Sequence, residues 1–151
     1  MPTQQTARSA QRWVFDVDGT LIDSLTGSSL RPLTISVLSA LQSAGHSLVL
    51  WSAGGAEYAR QRASQHGIDR FFVRFAAKAE RGRDRRYLLD AMAECEQSTI
   101  FVDDVPEDLP STAIVVRVWP YLSCDPHDRG LQSVIQVAGL QLCAPTGIVQ
   151  W

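Results

Sequence analysis

Two aspartates one residue apart, Asp16 and Asp18, end the apolar run Trp13-Val14-Phe15, and Gly19-Thr20 forces a turn directly after them. Carboxylates this close repel each other, so a proton or a cation must be shared between them. A strand end that carries this cost does so to hold a divalent metal or to perform acid–base chemistry. The plain alternative is an exposed acidic turn. The same break from apolar to polar recurs downstream. Leu48-Val49-Leu50-Trp51 ends in Ser52, followed by Ala53-Gly54-Gly55, and Ile100-Phe101-Val102 ends in Asp103-Asp104, with Asp108 four positions later. Lys78 lies between these two breaks.

The elements that must carry these residues alternate between β-rich apolar runs and helix-like segments. The sequence predicts strands at 12–16, 47–51, 71–75, 99–102 and 113–118. The first lacks a period-two alternation, as expected of a strand covered on both faces. Helices are predicted at 33–44, 56–66, 83–94 and 128–138. Leu33, Val37, Leu38 and Leu41 fall at helical spacing, with Pro32 in a first-turn position and Gly45 as the stop. This β-α-β-α order implies an α/β fold, a three-layer sandwich around a mostly parallel, five-stranded, Rossmann-like sheet. Ligands of such sheets bind beyond the carboxyl ends of the strands, where Asp16, Ser52 and Asp103-Asp104 fall. Residues 1–11 read as a flexible tail, 12–138 as one catalytic domain and 139–151 as a tail without a clear assignment.

Taken in order, these motifs resemble those of the haloacid dehalogenase-like hydrolase superfamily over roughly residues 12–130. Asp16-Val17-Asp18-Gly19-Thr20-Leu21 is similar to its first motif and Leu48–Ser52 to its second. Lys78 stands where its third-motif lysine is expected, and Ile100–Asp104 with Asp108 is similar to its acidic fourth motif. The resemblance implies a phosphatase that needs Mg²⁺ and forms an aspartyl-phosphate. Asp16 would be the nucleophile and Asp18 the acid and base. Ser52, Ala53 and Lys78 would bind phosphate. Asp16, the Asp18 carbonyl, Asp104 and Asp103 would form the metal site, supported by Asp108. Asp104 is the favoured direct ligand, and Asp103 would act through water. The chemistry is coherent: a carboxylate can attack an anionic phosphate only if positive charge offsets the repulsion. Each residue also has a simpler reading. Ser52 suits a helix N-cap, Lys78 a solvated side chain, and Asp103-Asp104 an acidic helix start. The family's third-motif lysine is commonly followed by proline, whereas Ala79 follows Lys78, and Arg74 is the second candidate cation.

Composition narrows the rest. The 151 residues, 45% hydrophobic, suffice for one domain with a real core, and a net charge of −2 makes no global case for nucleic acid or an anionic membrane. No apolar run approaches the roughly 18 residues of a spanning helix, and residues 1–12 lack the apolar segment of a secretory signal. Three scattered cysteines, Cys95, Cys124 and Cys143, argue for a reducing cytoplasm rather than a disulfide framework. Cys124 and His127 have a zinc-compatible spacing but no second pair. The segments 18–32 and 52–78 are too short for an inserted cap domain, so the site should be open. An open site admits a phosphorylated small molecule or a phosphorylated macromolecular end, or is covered by a neighbouring subunit of a homo-oligomer. The basic run Arg81-Gly82-Arg83-Asp84-Arg85-Arg86 leaves a nucleic-acid end among the candidate substrates, against the plainer reading of a solvated helix face. A metal- or phosphate-binding module with little turnover is the rival outside enzymes.

Overall fold

A computed structural model of the chain describes residues 9–78, 98–109 and 113–142, the Asp108 side chain excepted. Strands β1 (Arg12–Asp16), β2 (Ser47–Ser52), β3 (Arg74–Ala77), β4 (Thr99–Asp103) and β5 (Ile114–Arg117) form one sheet. Its order is β3-β2-β1-β4-β5, and every pairing is parallel. The expected α/β Rossmann-like class is therefore present, with all five strands parallel rather than most. The centre is β1, whose Trp13, Val14 and Phe15 are fully buried, consistent with its unalternating apolar run.

Side-chain alternation sorts the sheet into two faces. One face carries Trp13, Phe15, Leu48, Leu50, Ile100 and Val102, packed under helices α1 (Thr34–Ser43), α2 (Ala56–Gln65) and α3 (Gln132–Ala138). The other carries Val14, Val49, Trp51, Ala76 and Phe101, with Leu109, Ala113 and Val115 against them. The predicted helix 83–94 and the basic run 81–86 lie outside the described residues, as do residues 1–8, Cys95 and residues 143–151. Cys124 is exposed and free. No helix among the described residues is long and apolar enough to cross a membrane.

Most element ends fall within two residues of the sequence expectation, and three differences have a physical reason. The run Phe71-Phe72-Val73 reads as strand, yet Asp69–Phe71 forms a 3-10 turn that buries Phe71 and Phe72 in the helical-face core. β3 therefore starts at Arg74, three residues later than expected. The predicted helix 128–138 begins only at Gln132, because Asp128 serves as the partner of Arg31. At α1, Leu33 takes a left-handed conformation, φ 72°, and Thr34 opens the helix, its Oγ1 donating to the Arg31 carbonyl at 2.8 Å. Pro32 thus precedes the first turn instead of lying in it.

Candidate metal and phosphate site

The parallel register fixes where the polar strand ends meet. Asp16 lies opposite Trp51, and Ser52 opposite Ala77. By alternation Asp16 follows Val14 onto the face of Trp51, and Asp103 follows Phe101 onto the same face. Lys78, two residues after Ala76, joins them. It comes from the tip of β3 and must reach across β2 to the centre of the sheet, about two strand spacings of 4.8 Å. A lysine is long enough once the aspartates extend towards it. Its stem passes over Trp51, with Nζ 5.2 Å from the ring centroid, and Nζ ends 2.9 Å from Asp16 Oδ1 and 2.8 Å from Asp103 Oδ2. Ser52 anchors this arrangement from below, its carbonyl accepting the Lys78 N–H at 2.9 Å.

Thr20 ties in the second acidic residue. Its buried hydroxyl lies 3.1 Å from Asp16 Oδ2 and 3.2 Å from Asp104 Oδ1. One hydroxyl proton cannot serve both carboxylates fully, so a further proton or a cation is needed between them. Gly19 makes room: its φ is +78°, and a Cβ there would collide with Asp104 Oδ2 and lie 2.9 Å from Asp104 Cγ. Asp16, Asp103 and Asp104 accordingly present carboxylate oxygens within 4.8 Å of one another. Burial, opposed by Lys78 and reinforced by Asp103, pushes the Asp16 carboxyl up to about 8. Burial by itself lowers the Lys78 ammonium, but the charges of Asp16 and Asp103 outweigh it and raise it.

Among the described residues these three carboxyl groups share one ammonium, so even with Asp16 protonated negative charge is in excess. Oxygen-only donors suit a hard divalent cation, and the shared Thr20 hydroxyl marks where positive charge is missing. The residues fit such an ion. Lys78 is also the chain's only lysine, a signal that sequence reading passed over.

The remaining predicted residues sit around this group. Asp18 is not among the three clustered carboxylates; both its oxygens meet the Tyr58 hydroxyl, at 2.9 and 3.0 Å. Ser52 is buried, and its Oγ accepts the Gly54 N–H at 3.0 Å, forming the turn from β2 into α2. Ala53 is exposed at that turn. Arg74 is exposed at the opposite end of β3 from Lys78, which removes it as the rival cation. The Asp108 side chain lies outside the described residues.

Sequence reading missed Thr20, Tyr58 and Arg31 as contributors. Arg31 is buried, donates to Asp128 through Nε at 2.6 Å and Nη2 at 3.1 Å, and donates to the Trp119 carbonyl at 2.7 Å. Its Nη1 reaches the Thr20 carbonyl at 3.2 Å, so it braces the turn that carries Asp18 and Thr20. Its partner lies 97 positions away, which no local pattern reveals.

A family model matches residues 4–117. The chain belongs to the family described as "Protein of unknown function (DUF705)". That family assignment carries no activity. No curated protein matches the chain. Among solved structures, the chain is similar to the NMR structure of a core domain from Streptococcus pneumoniae TIGR4, provisionally assigned as that of a phosphoglycolate phosphatase. The TM-score is 0.54 at 17% identity, over 87% of this chain and 97% of that one. At that identity the likeness shows a shared fold.

Proposed function

We propose that this protein is a Mg²⁺-dependent phosphomonoester hydrolase of the haloacid dehalogenase-like type, acting through an aspartyl-phosphate on Asp16. The observation that carries the reading is the convergence of Asp16, Asp103 and Asp104 with Lys78 beyond the carboxyl ends of β1, β4 and β3. The motif order in the sequence supports it, and so does the fold shared with a phosphatase-like core domain.

Asp16, Asp103 and Asp104, with the Asp18 carbonyl, would hold Mg²⁺, which would supply the positive charge that lets a carboxylate approach a phosphate. Lys78 already orients Asp16 and would bind a phosphate oxygen from the other side. Asp16 attacks phosphorus while the bond to the leaving oxygen breaks, and that oxygen takes the proton of Asp18. Water then attacks phosphorus, Asp18 takes its proton back, and the bond to Asp16 breaks, restoring the carboxylate. Ser52 and the turn at Ala53-Gly54 offer a hydroxyl and backbone N–H groups to the remaining phosphate oxygens. The segment before α1 holds one loop, and that between Ser52 and Lys78 holds α2, the 3-10 turn and β3, with no inserted domain in either. The substrate therefore meets an open site, which suits a phosphorylated metabolite or a phosphorylated macromolecular end.

The test is release of p-nitrophenolate from p-nitrophenyl phosphate with Mg²⁺. The expected result is turnover that EDTA abolishes and that Asp16→Asn lacks. Turnover persisting in Asp16→Asn refutes the nucleophile. A panel of phosphorylated metabolites and phosphorylated oligonucleotides then separates substrate classes, with a salt-sensitive preference for the latter marking a nucleic-acid end.

A further inference from the structure

The segment after β1 rests on one face of α2. Tyr58, Arg62 and His66 fall at i, i+4 and i+8, so they line a single stripe. His66 Nε2 lies 2.8 Å from the Gly27 carbonyl. Arg62 fills the space beside Gly27, where a Cβ would come within 2.9 Å of its Cζ, and its guanidinium lies 5.1 Å from the Tyr58 ring centroid. Tyr58 is thus backed by Arg62 on one side. On another it is seated by Gly54, where a Cβ would stand 2.9 Å from Tyr58 Cγ.

The hydroxyl of this fixed ring meets both oxygens of Asp18. Facing both oxygens, it restrains rotation of the carboxylate as well as its position. Packing alone would be served by phenylalanine, and the clustered carboxylates do not hold Asp18. We infer that Tyr58 is a positioning residue for Asp18, fixing the direction from which that carboxyl group meets the leaving oxygen. The inference rests on the acid–base role of Asp18 in the proposed function. It adds a substrate consequence: the benefit of Tyr58 falls on esters whose leaving oxygen must be protonated.

The experiment compares two substrates in wild type, Tyr58→Phe, Asp18→Asn and the double variant. An alkyl phosphate needs its alkoxide protonated; p-nitrophenyl phosphate releases a phenolate that does not. kcat/KM is the quantity to read, because it reports phosphoryl transfer to Asp16 and excludes later hydrolysis. Tyr58→Phe should lower it about 10- to 100-fold for the alkyl ester and less than about 3-fold for the aryl ester. In the Asp18→Asn background it should cause no further loss. Equal losses on both esters, or a further loss without Asp18, would show that Tyr58 is only a packing residue and overturn the inference while leaving the phosphatase reading intact. A wild-type protein inert towards both esters with Mg²⁺ would remove that reading and the inference together.

Discussion

Replacing Lys78 by methionine keeps a stem to lie on Trp51 and removes the one ammonium between Asp16 and Asp103. Removing one partner of a buried ion pair costs about 3–5 kcal/mol, because the other charge stays buried and unpaired. Asp103 is almost fully buried, so the effect should be large, but Asp16 already holds a proton below about pH 8, so one unpaired charge is left rather than two. The lower end, about 3 kcal/mol, is expected without metal, which lowers Tm by about 6–12 °C for a chain of this size. A divalent ion held by the same carboxylates replaces the missing charge, and the variant should bind it more tightly because no ammonium competes. At a hundredfold excess over Kd, bound ion adds about 2.7 kcal/mol, so the gap between variant and wild type should narrow in Mg²⁺. Activity should not return, falling about 10²–10³-fold with the loss of positive charge at the phosphate. Urea unfolding in EDTA and in Mg²⁺, followed by p-nitrophenyl phosphate assays, checks both halves. A gap below about 1 kcal/mol in EDTA, or one that widens with Mg²⁺, would refute the reasoning.

Gly19→Ala forces a side chain into left-handed backbone and against Asp104. It should cost about 1–2 kcal/mol in urea unfolding and weaken Mg²⁺ binding at least about tenfold by calorimetry. In metal-free protein, Asp16 ionises near 8 instead of 3.8, so the folded chain holds a proton that the unfolded chain has lost. Its contribution to stability is therefore complete below about pH 4 and is lost as pH rises through about 8. For the same reason Mg²⁺ affinity should rise with pH up to about 8, one proton leaving per ion, which titrations in buffers of different ionisation enthalpy will count. Asp128→Asn tests the brace behind the site. Burial alone would raise the Asp128 carboxyl, but the Arg31 fork and the Gly130 N–H outweigh it and hold it below its usual value. The pair's stabilisation is thus present above about pH 4 and lost as acid protonates Asp128. The substitution should cost about 3 kcal/mol at pH 7 in urea unfolding, since Arg31 stays buried.

The strand tips were legible because an apolar run broken by aspartate or serine marks both a buried strand and its exposed end. β1 was read to its exact bounds, and Asp16, Asp103, Asp104 and Lys78 do meet. Phe71-Phe72-Val73 misled because apolar residues in a turn under α2 look the same as a strand when only type is read. Tyr58, Arg31 and Asp128 were invisible for another reason. Their partners are 40 and 97 positions away, and no local pattern of type or spacing distinguishes a surface tyrosine or arginine from one folded onto a distant acid. Gly54 is as opaque: its sequence marks a turn after Ser52, and only the structure shows that it seats the Tyr58 ring.

The middle strand of the sheet borders both β2 and β4, and the cluster of carboxylates draws on segments from opposite halves of the chain. Under the proposed function, an ion held by all three carboxylates must wait for β4, which leads into Asp104, to pair with β1. Tight binding of the proposed ion would therefore report that the two halves of the chain have joined along β1 and β4.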